Sequence, residues 1–331
     1  MAAVADSAAP GPLRVPAFRA LWLAVLGSNI GTWMQTVGAQ WLLVEGGYGS
    51  AVIALVQTAS TLPVLLLAMP AGVLADSLDR RRLLLAVMLF QTAVVGALAA
   101  LTFAGAMPAG LLLTLTFVIG AGTAVIAPAY QSLIPDLVSR EQLPAAAALG
   151  AVSMNVARAV GPALAGLLIA QVNVGAVFAL NAASFLAVAV VLLTVRLDHP
   201  GPDARPERFV AALRAGGRYV RHSPVMRRLF LRSALFLVPA TALWALLPVV
   251  ASDLLGLGAA GYGTLLAALG SGAVAGVFVL PSLRRRLSLN VLFAGASVLY
   301  GLALVPLVLV PRLPVALPAL IAAGLAWVTV L

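Results

Sequence analysis

Ten apolar runs, separated by short polar or Gly/Pro-containing breaks, dominate the hydrophobic pattern of this chain. They lie near Phe18–Val44, Ser50–Ala75, Leu83–Ala106, Pro108–Ile134, Pro144–Ala170, Val174–Val195, Leu229–Val250, Gly258–Leu280, Leu289–Val310 and Leu313–Leu331. A helix needs roughly 17 to 25 residues to cross a hydrocarbon layer about 30 Å thick, and these runs are of that length. They are continuously apolar and do not alternate, which predicts helices and excludes the strands of a barrel. The pattern therefore predicts an all-α membrane protein.

The longest polar stretch, Asp198 to Arg228, separates six of these helices from four. The expected organisation is an N-terminal tail over 1–17, a six-helix bundle over 18–197, a linker over 198–228 and a four-helix bundle over 229–331. Inside the linker, Phe209, Ala212, Leu213, Gly216 and Val220 recur at helical spacing, with Arg208, Arg214, Arg218 and Arg221 mainly on other sides. That fits a short amphipathic helix on an anionic leaflet, and equally a charged hinge. An offset of 204 residues places Gly72 on Gly276 and Arg80, Arg81 and Arg82 on Arg284, Arg285 and Arg286. The two halves are read as a duplication, a common construction in transporters. Six helices plus four, with an apolar run reaching Leu331, lead to the expectation of a twelve-helix protein seen without its last two.

Composition strengthens the membrane reading. Hydrophobic residues are 63% of 331 and charged residues 9%, against roughly a quarter charged in soluble domains. The basic residues are 20 Arg and no Lys, and a cytoplasmic N-terminus puts 18 of them in inward segments. Arg312 then falls in an outward loop and Arg158 inside a helix, so the positive-inside rule selects this orientation. An Arg-only, Ala-rich chain points to a GC-rich bacterial genome and hence to the inner (plasma) membrane, crossed many times. The net charge of +10 is spread over membrane-flanking loops and predicts no nucleic-acid partner. Arg14 and Arg19 lead into a run long enough to span, so no cleavable signal peptide is read. The absence of Cys excludes disulfides and thiolate metal sites. His199 and His222 lie in the linker and no Asp or Glu falls mid-helix, so no acid–base agent, metal or cofactor site is expected and the chain is not read as an enzyme.

The motifs are more specific. The stretch Gly72-Val-Leu-Ala-Asp76-Ser-Leu-Asp-Arg80-Arg81-Arg82 resembles the loop 2–3 signature of the major facilitator superfamily, Gly-x-Leu-Ala-Asp-Arg-x-Gly-Arg-Arg. Ser77 replaces an Arg of that pattern and Asp79 a Gly. The resemblance implies a two-bundle fold and an inner gate in which Asp76 meets the N-terminus of a helix in the second bundle, favourable for a carboxylate. It also implies that Arg80 pairs with an acidic residue near the inner end of helix 4, for which Asp136 is the candidate. A second set of segments is Asn29-Ile-Gly31-Thr32-Trp33-Met-Gln35, Ile134-Pro-Asp-Leu-Val138 and Asn155-Val-Ala-Arg158-Ala-Val-Gly161-Pro162-Ala-Leu-Ala-Gly166. These resemble the branch holding siderophore (enterobactin-type) exporters and macrolide or multidrug efflux proteins. Gly161, Pro162 and Gly166 match its fifth-helix exporter motif, where Pro removes a backbone donor and bends the helix.

Two features stand as substrate-site candidates. Arg158 lies roughly 21 Å along its helix from Pro144, at 1.5 Å per residue, where an unpaired charge costs a few kcal/mol. It either faces a wet cavity and a substrate, with Asn155 nearly on the same face, or locks two helices by bonding carbonyls. In helix 1, Asn29, Thr32, Trp33, Thr36 and Gln40 share an arc of about 100°, opposite a face of small residues. That stripe fits a cavity lining or helix-to-helix hydrogen bonding. The resemblance favours the cavity, which helices 1, 4, 7 and 10 line in that superfamily, with Tyr130, Gln131, Thr241, Trp244 and Trp327 as weaker candidates. The expected activity is alternating-access export of an amphipathic drug or siderophore-like molecule by a monomer in the lipid bilayer, with a proton as coupling ion. Uptake symport in the same fold is the nearest alternative, and a non-transporting scaffold or channel the alternative of another class.

Overall fold

The computed structural model describes residues 11–194 and 222–330. Among them run ten long helices: α1 (Pro16–Glu45), α2 (Ser50–Ser77), α3 (Arg80–Phe103), α4 (Ala109–Leu133), α5 (Leu143–Gln171), α6 (Val174–Thr194), α7 (Pro224–Val249), α8 (Ala259–Arg284), α9 (Leu289–Leu309) and α10 (Leu313–Val330). Nine are long and apolar enough to cross a membrane. The tenth, α1, has 30 residues and falls short only in hydropathy, because it carries the polar stripe. The proposed amphipathic stretch at 208–221 lies outside the described residues. Helix α7 starts at Pro224, ahead of the apolar run at Leu229, with Ser223 accepting from the Met226 N–H at 3.3 Å.

Loop chemistry differs between the two ends of the assembly. At the end holding Arg80–Arg82 and Arg284–Arg286, α3, α7 and α9 start on side-chain caps. Asp79 accepts from the Arg82 N–H at 2.7 Å and Ser288 from the Val291 N–H at 3.4 Å. Asp79 thus departs from the signature's Gly without losing the turn, since Asp at an N-cap satisfies a free helix N–H. At the opposite end, the loops after α1, α3 and α7 turn on Gly47, Gly105 and Gly256, whose φ values are 70°, 66° and 62°, a left-handed conformation that glycine adopts without steric cost.

In the first bundle, α1 packs on α5 and α6, α3 on α6 and α4, and α2 on α4; in the second, α10 packs on α8 and α9. The bundles meet where α5 lies along α8 and α2 against α7. Gln40 and Trp244, separated by the same 204 residues as the repeat offset, are hydrogen-bonded to each other across the two bundles. Many apolar side chains turn outward; Leu65 is 76% and Phe278 77% exposed. In water such faces would be costly, whereas lipid solvates them.

Candidate functional site

A cavity of about 390 Å³ lies between the bundles, lined from α1, α2, α4, α5, α7 and α10. Of the polar stripe on α1 it receives Thr32, Trp33 and Thr36, and it receives Arg158 from α5. Thr241, Trp244 and Trp327 join them from the second bundle. Tyr130 and Gln131 do not.

Three predicted cavity residues belong elsewhere. Asn29 donates through Nδ2 to Ser153 Oγ at 3.0 Å and ties α1 to α5. Asn155 donates to Ala151 O of its own helix at 3.0 Å, and Met154 takes the place beside Arg158 on the lining. Gln40 is 1% exposed; its Nε2 donates to Trp244 O at 3.0 Å, and its Oε1 accepts from the Tyr262 hydroxyl. It joins α1, α7 and α8, with Trp41 stacked on Tyr262 at 6.0 Å beside it. The stripe on α1 occupies one face, but eight residues separate Thr32 from Gln40, or about 12 Å of helix. That depth carries Gln40 out of the cavity and into the seal at the end opposite the arginine loops.

The fifth-helix motif builds the same seal. A Cβ on Gly166 would come 2.7 Å from Ala259 O, and one on Gly263 2.7 Å from Pro162 O, so α5 and α8 touch backbone to backbone. A Cβ on Gly161 would stand 2.7 Å from the Trp33 Cβ. Its absence lets α1 close on α5 and seats Trp33 beneath Arg158, whose guanidinium carbon is 5.3 Å from the ring centroid. Trp33 in turn packs on Trp244 at 5.3 Å, and Trp244 on Trp327 at 5.8 Å. The helix-locking role for Arg158 has no support here. Its Nε is buried with no hydrogen-bond partner, and it forms no ion pair or carbonyl contact among the described residues. A cation–π contact contributes at most about 2 kcal/mol, while a charge at mid-membrane costs ~2.5–3.5 kcal/mol even on insertion scales. Trp33 offsets only part of that cost.

Several cavity residues were missed by sequence reasoning. Gln57, Ser60 and Thr61 come from α2, Thr116 and Thr123 from α4, and Gln35 from α1. The α2 set has i, i+3, i+4 spacing, a one-face signal that was there to read. Gln35 was hidden because it lies off the α1 arc, held by Asn181 Nδ2 donating to its side-chain oxygen.

At the arginine end, Arg80 Nη1 lies 3.4 Å from both Asp136 oxygens, the two side chains being 33% and 20% exposed. Arg81 donates to Leu192 O at 2.7 Å and Leu193 O at 3.0 Å, capping the end of α6. A Cβ on Gly72 would meet nothing within 4 Å. Asp76 belongs to α2, and its side chain lies outside the described residues.

The sequence profile of the transmembrane secretion effector family, a major facilitator branch, matches residues 7–331. The chain belongs to that family. Among curated relatives, the staphyloferrin A transporter of Staphylococcus aureus is 23% identical over 280 residues, covering 84% of this chain and 70% of that protein. Macrolide efflux protein A of Enterococcus faecalis is 25% identical over 62% of this chain and 64% of its own. The multidrug efflux pump Tap of Mycobacterium bovis is 31% identical over 65% of this chain and 53% of its own. The facilitator thus spans between about half and 70% of the length of these relatives. Its fold matches a bacterial homologue of the lysosomal transporter Spinster, with TM-score 0.72, 17% identity and coverage of 97% of this chain and 74% of that one. A bacterial ferroportin homologue gives TM-score 0.65, 19% identity and coverage of 95% and 81%. Family and relatives are transporters, not enzymes.

Proposed function

We propose that this facilitator exports an amphipathic small molecule, drug-like or siderophore-like, by alternating access across a bacterial plasma membrane. Its N-terminus and arginine loops face the cytoplasm, a placement supported by 18 of 20 arginines falling on that side. The observation that carries the reading is the cavity shared by both bundles, set next to a bundle-to-bundle seal at one end. A site at the repeat interface with one barrier made is the arrangement that rocking bundles use. Export is favoured over uptake by the relatives named as efflux proteins. The proposed energy source is the proton gradient, the transporting unit a monomer.

The test is flux. Energised inverted vesicles carrying the protein are expected to accumulate a transported compound, and a protonophore to stop them. Accumulation only in right-side-out vesicles identifies an uptake symporter; partner binding without flux of any compound identifies a scaffold. Arg158→Ala is expected to lower export at least about tenfold, the scale of one lost charge-assisted contact, with membrane insertion unchanged. Wild-type flux in that variant removes Arg158 from the site.

A further inference from the structure

We infer that the cavity is a receptor for an organic anion, a carboxylate, sulfonate or phosphate borne on a flat apolar body. The inference deepens the export reading, on which its transport consequence rests. Three observations converge. Among the described residues lining the cavity, Arg158 is the one ionisable group, and its charge has no counter-ion. Three of its lining residues carry a buried N–H donor with no acceptor: Arg158 Nε, Trp244 Nε1 and Trp327 Nε1. The hydroxyls that share the lining do not absorb this surplus. Thr32, Thr36, Thr116, Thr123 and Thr241 donate to carbonyls of their own helices, and none of their oxygens accepts from Arg158 Nε, Trp244 Nε1 or Trp327 Nε1.

Buried donors without partners are rare in folded proteins, because the loss of water is not repaid. A bound anion supplies several lone pairs at once and neutralises Arg158, in a low-dielectric site where charge-assisted hydrogen bonds are strongest. The run Trp33, Trp244, Trp327, at ring spacings of 5.3 and 5.8 Å, provides an aromatic wall for the apolar body beside that charge. An amphipathic cation meets the opposite situation: the same wall, with Arg158 repelling it and already occupying the face of Trp33.

Three ligands of one shape separate these cases: 2-naphthoate, neutral 2-naphthamide and 2-naphthylmethylammonium. Their binding to the purified full chain is measured by calorimetry in nanodiscs of phosphatidylcholine, which contributes no net anionic lipid. The expected order is naphthoate, then naphthamide by a factor of about ten or more, then the cation. In Arg158→Gln the preference for naphthoate over naphthamide should vanish, and Arg158→Lys should restore part of it. A wild type that binds the cation as well as the anion overturns the inference, and that arm stands even if Arg158→Gln fails to fold. A folded Arg158→Gln that keeps the anion preference overturns it equally. Phosphatidylglycerol that competes naphthoate off the wild type supports the anion site and identifies a lipid phosphate as one source of the group. Naphthoate bound selectively but never accumulated by inverted vesicles leaves the anion site standing and removes export. Accumulation of cationic compounds without anion binding does the reverse.

Discussion

The two ends of the helix assembly are held by different kinds of contact. At the end opposite the arginine loops, the bundles grip each other. Gln40 bridges α1, α7 and α8 through Trp244 and Tyr262, and the Gly166–Gly263 seam brings backbones together. At the arginine end the strong contacts stay within one bundle: Arg80 with Asp136, Arg81 with the last carbonyls of α6, Arg232 with Asn290. Close-packed helix seams are nearly all-or-none, because interiors have two packings and little in between. Partly exposed ion pairs yield gradually and contribute little. Under the proposed alternating access, the seal is the element that has to break for the cavity to face the other way. On the same proposal, the open space at Gly72 is where a second barrier would form.

Substitutions at the two ends should follow this ranking. Gly263→Leu drives a side chain into Pro162 O and should have the largest effect, since overpacking a tight contact costs typically 1–3 kcal/mol and sometimes more. The chain has no cysteine, so Ala259→Cys, 7% exposed at the seam, reports on it directly. Its labelling by a water-soluble maleimide should rise several-fold in the Gly263→Leu background; unchanged labelling removes the seam as the seal. Gln40→Leu comes next. It strands Trp244 O and the Tyr262 hydroxyl in a buried layer, at about 1–3 kcal/mol, and should raise the same labelling by less.

The arginine end should respond weakly. Asp136→Asn removes one partner of a half-exposed pair, so the expected loss is under about 1 kcal/mol and should shrink in high salt. A large, salt-independent fall in thermal stability in that variant makes the pair a structural brace. Gly72→Ala is the smallest. Its Cβ meets nothing, and Ala gains up to about 1 kcal/mol over Gly inside a helix, so thermal stability should hold or rise slightly. Slower export with intact stability would then locate the cost of that methyl in the opposite-facing conformation. Unchanged export excludes Gly72 from the second barrier.

The helices were legible because they rest on local and periodic information, and the Arg80 and Asp136 pairing because of a motif. Apolar length marks a span, arginines mark one side of the membrane, and the resemblance to the facilitator signature implied that Arg80 meets Asp136. The site was legible in part. Arg158, Thr32, Trp33 and Thr36 were reachable as polar groups too deep in the membrane, and on too narrow an arc, to be lipid-facing. Asn29, Asn155 and Gln40 satisfied the same criteria, but Asn29 and Gln40 bond to neighbouring helices and Asn155 to its own. Gly161 and Gly166 were visible as a motif, but their work, seating Trp33 and closing α5 on α8, required knowing what lies opposite.

By itself, the sequence determined that this is a polytopic membrane protein with a polar stripe on its first helix and a deep arginine on its fifth. Helical periodicity assigns a residue to a face and says nothing of which neighbour that face meets at each depth. Tertiary structure alone decided that Thr32 to Thr36 line a cavity while Gln40, on the same face about 12 Å further along, closes it. It also decided that Arg158 lies over Trp33 with its Nε unpartnered. The reason is that a site between two bundles is made by residues from both, and the distances across that gap are set by packing, not by spacing along either chain segment.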